Sequence, residues 1–217
     1  MDHMTGAALF DLDGTLINTE LRSRAVWAMF LTNHGIAHDE ELLRSFMGRR
    51  GRDVLPALLP EADLDAVRDE IEVLLTHPGL PDIVHIPGAA DLVRRVSAEG
   101  WPIGLVTSAR RAWAEARLAD VGVRDLVQTI VSDEDVAVGK PDPAGYVLAA
   151  ERLRADPAKC VAFEDSLAGI AAAKAAGMTC VGVATTHHPD ELAAADLVVA
   201  DLSEIDWPIS GGTDRPS

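Results

Sequence analysis

Two carboxylates one residue apart, Asp11 and Asp13, stand in the run Phe10-Asp11-Leu12-Asp13-Gly14-Thr15-Leu16, directly after the apolar stretch Ala7 to Phe10. An open α/β sheet places its ligand crevice at the carboxyl ends of its strands, which is where this pair falls. A solvated turn also accommodates Asp-x-Asp, but Gly-Thr behind an apolar strand makes the pattern far more specific. Three later segments occupy equivalent places: Val106-Thr107-Ser108 ends an apolar run, Gly139-Lys140-Pro141-Asp142-Pro143 precedes a helical pattern, and Phe163-Glu164-Asp165-Ser166 ends another run. Together they supply hard oxygen ligands for a divalent cation, a hydroxyl, and one compact positive charge, which is the equipment of a magnesium and phosphate site.

Charge alone says why such a set belongs together. A carboxylate approaching a phosphate dianion at about 4 Å meets repulsion of about 8 kcal/mol at an effective dielectric of about 20. A cation held by Asp11 and Asp165 removes that penalty, and Mg²⁺ suits carboxylate, carbonyl and phosphate oxygens. The chain has only three lysines, Lys140, Lys159 and Lys174, and the latter two lie before a strand and within a helix, which singles out Lys140. Each residue also has a plainer reading: Thr107 as a helix N-cap, Lys140 as a surface lysine, Glu164-Asp165 as a strand-end turn.

The elements that must position these groups are legible as alternating patterns. Strand-length apolar runs recur at Ala7 to Phe10, Ile103 to Val106, Thr129 to Val131, Cys160 to Phe163, Thr179 to Val183 and Leu197 to Val199. Helix-length patterns at Arg110 to Asp120, Ala144 to Leu153 and Leu167 to Ala176 lie between them, with Gly122 and Gly177 just past two of the ends. The alternation predicts βαβ units around a parallel sheet. From Glu20 to His85 the apolar spacing is helical with no convincing strand, so an α-helical insertion is expected there, returning through Pro78, Gly79, Pro81 and Pro87-Gly88. Residues 208–217 read as a flexible tail.

Composition excludes several classes of function. With 19 Lys plus Arg against 35 Asp plus Glu, the formal charge is -16, and a nucleic-acid partner held by a basic field is ruled out. No apolar run is long enough to span a membrane, and Met1 to Gly6 has no basic segment preceding an apolar one, so cytoplasmic residence is expected. Cys160 and Cys180 each adjoin valine in apolar stretches and read as small buried hydrophobes, with no disulfide framework or zinc site.

With the four segments in hand, the sequence resembles the haloacid dehalogenase superfamily, whose motifs match in order and spacing across nearly the whole chain. The run from Glu164 to Ile170, continued to Ala176-Gly177, is similar to the branch with a helical cap inserted after the first motif. That branch includes phosphoglycolate phosphatases, sugar-phosphate phosphatases and β-phosphoglucomutase. The resemblance implies a Rossmann-like three-layer α/β core at 1–19 and 86–207, and an α-helical cap at 20–85. It also implies a Mg²⁺-dependent phosphatase acting on a small phosphate ester of a sugar, polyol or hydroxy acid. Asp11 is then the nucleophile, forming an aspartyl phosphate, and Asp13 the acid and base. Asp11, Asp165 and the Asp13 carbonyl hold the metal, and Glu164 orders water on it. Thr107, Ser108 and Lys140 hold the phosphate. The position after Ile17, often Asp in this branch, is Asn18.

The insertion carries its own cluster, Gly48-Arg49-Arg50-Gly51-Arg52-Asp53. Arg49 and Arg52 are candidates for gripping substrate hydroxyls or a second phosphate, against the alternative of arginines paired with surface acids. A phosphosugar mutase would share every core motif. In β-phosphoglucomutase-like relatives, however, a cap histidine lies twelve residues past the nucleophile, and that position here is Ser23. Schiff-base phosphonate hydrolases use a cap lysine, and 20–85 contains none. A phosphoacceptor signalling module is a more distant alternative with no need for the insertion. The oligomeric state stays open.

Overall fold

The computed structural model describes residues 6–46 and 48–209, so the readings of Met1 to Thr5 and of residues 210–217 fall outside the described residues. From β1 (Ala8–Phe10) the chain passes through β2 (Ile17–Asn18) into α1 (Glu20–Asn33), α2 (Glu40–Ser45), α3 (Gly51–Val54) and α4 (Leu64–Leu74), and returns along β3 (Val84–His85). Then come α5 (Ala89–Ala98), β4 (Ile103–Val106), α6 (Arg111–Val121), β5 (Thr129–Val131), α7 (Ala144–Leu153), β6 (Val161–Glu164), α8 (Leu167–Ala175), β7 (Thr179–Val183) and β8 (Leu197–Val199).

Six of these strands form a sheet in the order β5-β4-β1-β6-β7-β8, with every adjacent pair parallel. The expected doubly wound α/β sheet is therefore present. The chain starts in the middle, at β1, and proceeds first to one side and then to the other. The switch point lies between β1 and β6, where crossovers diverge to opposite sides and leave a crevice at the carboxyl ends.

The central strands are apolar on both faces because helices cover both. Side chains alternate across the sheet with the two-residue period of a strand. Ala8, Phe10, Ile103, Leu105, Val161 and Phe163 enter the core under α5 and α6, whereas Ala7, Leu9, Cys160, Ala162 and Cys180 face α7 and α8. Phe10 and Phe163 stack across adjacent strands with ring centroids 4.6 Å apart. Each such enclosed aromatic contributes about 1.5–3 kcal/mol through its burial. Both cysteines are buried free thiols, and burial pushes the Cys160 thiol up to about 11.

Helices α1 to α4 pack around a separate apolar cluster that includes Phe30, Leu31, Leu43, Phe46, Val54 and Val67. Two details differ from expectation. The stretch read as strand-free ends in β3, which pairs antiparallel with β2, Ile17 opposite His85 and Asn18 opposite Val84. Two residues are too few for a two-residue period to show in sequence, and their pairing joins positions 66 and 68 residues apart, so the ribbon is a purely tertiary feature. Residues 208 and 209, read as part of a flexible tail, lie on the core instead, with Ile209 packed beside the buried Trp207. Among the described residues no helix is long and apolar enough to cross a membrane.

Candidate active site

Asp11 follows β1 at its carboxyl end, its amide donating to Phe163 O (3.0 Å), which extends the β1–β6 pairing by one rung. The residue is 5% exposed. Lys140, carried on the loop before α7, reaches into the crevice and places Nζ 2.5 Å from Asp11 Oδ1 and 2.5 Å from Glu164 Oε1, and it also donates to Val106 O at 3.1 Å. Burial disfavours the ammonium form, but the Asp11 and Glu164 carboxylates outweigh it and hold the lysine proton more tightly than usual. Burial also lifts Asp11 well above the ordinary carboxylate range. The carboxylates of Glu164 and Asp165 push the same way, and Lys140 opposes them.

Asp165 sits after β6, its Oδ2 accepting from Thr186 Oγ1 (2.5 Å) and its Oδ1 from Thr15 Oγ1 (3.4 Å). Burial raises its carboxyl to about 7, and the neighbouring Glu164 adds to the rise. Glu164 is fully enclosed, accepting from Tyr146 Oη at 2.8 Å and from Ser166 Oγ at 3.1 Å. Its carboxylate lies against the backbone of Gly169 in α8, where a Cβ would fall within about 2 Å of it. A glycine inside a helix costs about 1 kcal/mol relative to alanine, so the close approach of Glu164 explains its presence here.

Asp11, Glu164 and Asp165 each offer a carboxylate oxygen, and the three oxygens lie within 4.8 Å of one another. An all-oxygen donor set with surplus negative charge, in a pocket where each added carboxylate disfavours ionisation of the next, fits a hard divalent cation such as Mg²⁺. Tyr146 orients this cluster through Glu164, and burial keeps its phenol protonated and therefore a donor. Tyr146→Phe is expected to raise the Mg²⁺ concentration for half-maximal activity about tenfold while leaving the fold intact, as removal of an outer-sphere partner does elsewhere. An unchanged magnesium titration would make the hydroxyl irrelevant to the cluster.

Asp13, two residues past Asp11, is held apart from this group. Its Oδ1 accepts from Thr19 Oγ1 at 2.9 Å and from Trp113 Nε1 at 3.3 Å. Its pKa is raised, chiefly by burial and against the pull of those two donors. Thr19 occupies the N-cap position of α1 yet makes no side-chain cap bond. Asn18 takes over that task, its Oδ1 accepting from Glu20 N at 3.2 Å. The helix thus gives up its best capping hydroxyl to the site.

Thr107 is buried after β4, with Oγ1 accepting from Ala109 N at 3.0 Å, and the N-cap of α6 is Arg110 rather than Thr107. Ser108, Arg52 and Arg49, the other expected ligand contacts, have the following surroundings. Ser108 Oγ donates to Gly48 O at 2.9 Å, so its hydroxyl joins the insertion to the sheet layer. Arg52 donates to Asp133 O at 2.6 Å and pairs with the Asp133 carboxylate at 2.9 Å. Arg49 is exposed. The buried member of the cluster is Arg50, 2% exposed.

Thr19, Trp113, Tyr146 and Thr186 escape sequence reasoning because each lies outside the four segments. For Thr19 and Thr186 the available signal is a hydroxyl beside a strand or helix end. For Tyr146 it is the chain's only tyrosine. Trp113 gives no local signal at all, since α6 carries it to Asp13 from 100 positions away.

Residues 5–177 match the haloacid dehalogenase-like hydrolase family. The chain is 40% identical over 211 residues to validoxylamine A 7'-phosphate phosphatase of Streptomyces hygroscopicus subsp. limoneus, spanning 96% of this chain and 99% of that one. It is 33% identical over 180 residues to fructose-1-phosphate phosphatase YqaB of Escherichia coli strain K12, spanning 81% and 94% of the two chains. Among solved structures, that of CbbY from Rhodobacter sphaeroides in complex with phosphate superposes with a TM-score of 0.78 at 27% identity, over 93% of this chain and 96% of that one. β-Phosphoglucomutase from Clostridium difficile shares the fold, with a TM-score of 0.81 at 24% identity and 94% coverage of each chain. The carboxylates and lysine gathered at the end of β1, and the match over most of the chain, make this protein a member of the haloacid dehalogenase-like hydrolases.

Proposed function

We propose that the protein is a Mg²⁺-dependent phosphatase of a small polyhydroxylated phosphate ester, a sugar or polyol phosphate, working through an aspartyl phosphate on Asp11. The observation that carries this reading is the division of labour between the paired acids: Asp11 lies in the carboxylate cluster with Lys140, while Asp13 is held by Thr19 and Trp113. The relatives described above include a phosphatase named for a phosphorylated sugar, which supports the substrate class.

Asp11, Asp165 and the Asp13 carbonyl would hold Mg²⁺, with Glu164 beside them. When bound, the ion offsets the repulsion between an attacking carboxylate and the phosphate dianion. Asp11 attacks phosphorus, the ester P–O bond breaks, and Asp13 delivers its proton to the departing alkoxide. Asp13 then takes a proton from water as that water attacks phosphorus, which frees Asp11 and inorganic phosphate. Lys140 holds a phosphate oxygen and keeps Asp11 oriented, and the Thr107 hydroxyl holds another oxygen. Helices α1 to α4 act as a cap that excludes bulk water and selects the alcohol.

The test is a panel of sugar, polyol and hydroxy acid phosphates assayed with Mg²⁺ and with excess chelator. Phosphate release is expected on sugar or polyol esters and is expected to vanish reversibly on chelation. Full turnover in chelator would remove the metal from the reading. Sustained interconversion of glucose 1-phosphate and glucose 6-phosphate without phosphate release would make the protein a mutase, an outcome that Ser23, in place of an imidazole, argues against.

A further inference from the structure

The segment 48–53 of the insertion touches three of the sheet-end loops that supply the site. Gly48 O accepts from Ser108 beside Thr107, and the Cα of Gly48 packs so closely on Ser166 that a Cβ would stand 2.2 Å from its Oγ. The third contact is the most extensive. Arg50 forks onto Asp53, with Nε at 2.6 Å from Oδ2 and Nη2 at 2.8 Å from Oδ1. Its remaining N–H groups donate to Val136 O at 2.9 Å and Ala137 O at 3.0 Å, and Nη1 lies 3.3 Å from the Asp133 carboxylate. The pair is seated on the backbone of Gly139, the residue immediately before Lys140. A Cβ there would stand 2.4 Å from Arg50 Nε and 2.7 Å from Asp53 Oδ2. Gly139 is not one of the left-handed glycines, so the need for glycine is one of space.

We infer that Arg50 and Asp53 form a latch through which docking of the cap fixes the loop that delivers Lys140, making Arg50 a positioning residue for the phosphoryl-transfer site. The inference rests on the phosphatase reading for its kinetic consequence only. Both members of the latch ride on the insertion, three residues apart, so they leave together as a neutral unit when the cap lifts. What stays behind on the core is a set of carbonyl groups and the partly exposed Asp133 carboxylate, which loses Arg50 and Arg52 together and is taken up by water in their place. In the docked state the fork geometry sets the distance between the cap and residues 136–139, and Lys140 follows covalently. Lysine at position 50 would keep the charge but has no planar fork with which to hold Asp53 and two carbonyls at once.

The test compares Arg50→Lys, Gly139→Ala and the double variant in the full chain, by amide hydrogen exchange across residues 133–140 and by steady-state kinetics. Each single variant is expected to speed exchange in this segment and to lower kcat about tenfold or more through misplacement of Lys140. The loss is expected equally on the best sugar phosphate and on p-nitrophenyl phosphate, because Lys140 faces the transferred phosphoryl group common to both. The double variant is expected to lose no more than the worse single one, within about twofold, since both break one latch. Exchange unchanged from wild type, multiplying losses, or a loss confined to the sugar phosphate would overturn the latch. If the wild type released no phosphate from any ester, the functional reading would fail, while the exchange comparison would still decide whether Arg50 orders the loop.

Discussion

Asp11→Asn is expected to abolish turnover, with a loss of at least about 10⁴-fold in kcat, the scale on which removal of a nucleophile acts elsewhere. The amide matches the carboxylate in volume, which matters at a position 5% exposed and closed in by Lys140 and the β1–β6 edge. Its oxygen can still accept from Lys140 Nζ, so the cluster keeps a partner for the ammonium and the fold should survive, as circular dichroism and thermal melting will show. The amide oxygen is too weak a nucleophile to displace an alkoxide from phosphorus. Acid-quenched wild-type enzyme incubated with labelled substrate should carry phosphate on the peptide containing Asp11, and the variant should carry none. Turnover within tenfold of wild type would mean that water attacks the ester directly and that Asp11 serves only the cation.

Asp13→Asn should act differently according to the leaving group. An alkoxide departing from a sugar phosphate needs a proton in the transition state, and loss of a positioned general acid costs about 10²–10⁴-fold on such a substrate. p-Nitrophenolate departs without one, so the first half of its reaction should be far less affected, and phosphoenzyme should accumulate because the base for water is also gone. The two hydrogen bonds to Asp13 both end on Oδ1, from Thr19 and Trp113, which orients the carboxyl without engaging the Asp11 cluster. Equal losses on both substrates, with no accumulated phosphoenzyme, would remove the acid and base role from Asp13 and leave it a structural carboxylate.

Much of this site is legible in the amino-acid sequence because its chemistry is concentrated in short segments. Asp11 and Asp13 share one strand end, Glu164 and Asp165 another, and the apolar runs that carry them predict the six strands of the sheet within about a residue at each end. Strands covered on both faces read as continuous apolar runs, and glycines past helix ends mark where helices stop, so local composition is a direct record of the layer architecture. The helical insertion is visible for the same reason, as a long stretch of helical spacing that no strand-length apolar run interrupts.

Pairings between distant residues are another matter. Nothing local distinguishes Arg49, Arg50 and Arg52, yet only Arg50 is withdrawn from solvent onto the loop before Lys140, while Arg52 pairs with Asp133 and Arg49 stays exposed. Which guanidinium becomes buried depends on where the insertion lands on the core, and that depends on the β2–β3 ribbon, itself a pairing of residues far apart in sequence. The partners of Asp13 and Glu164 are hidden likewise, since Trp113 and Tyr146 arrive on separate helices from 100 and 18 positions away. The fold class, the strand ends and the paired carboxylates are written in the chain itself, because apolar spacing and residue type are local properties. Hydrogen-bond partners, the burial of one arginine among three, and the space demanded of Gly139 and Gly169 exist only once the chain closes on itself, because each is a property of two segments meeting.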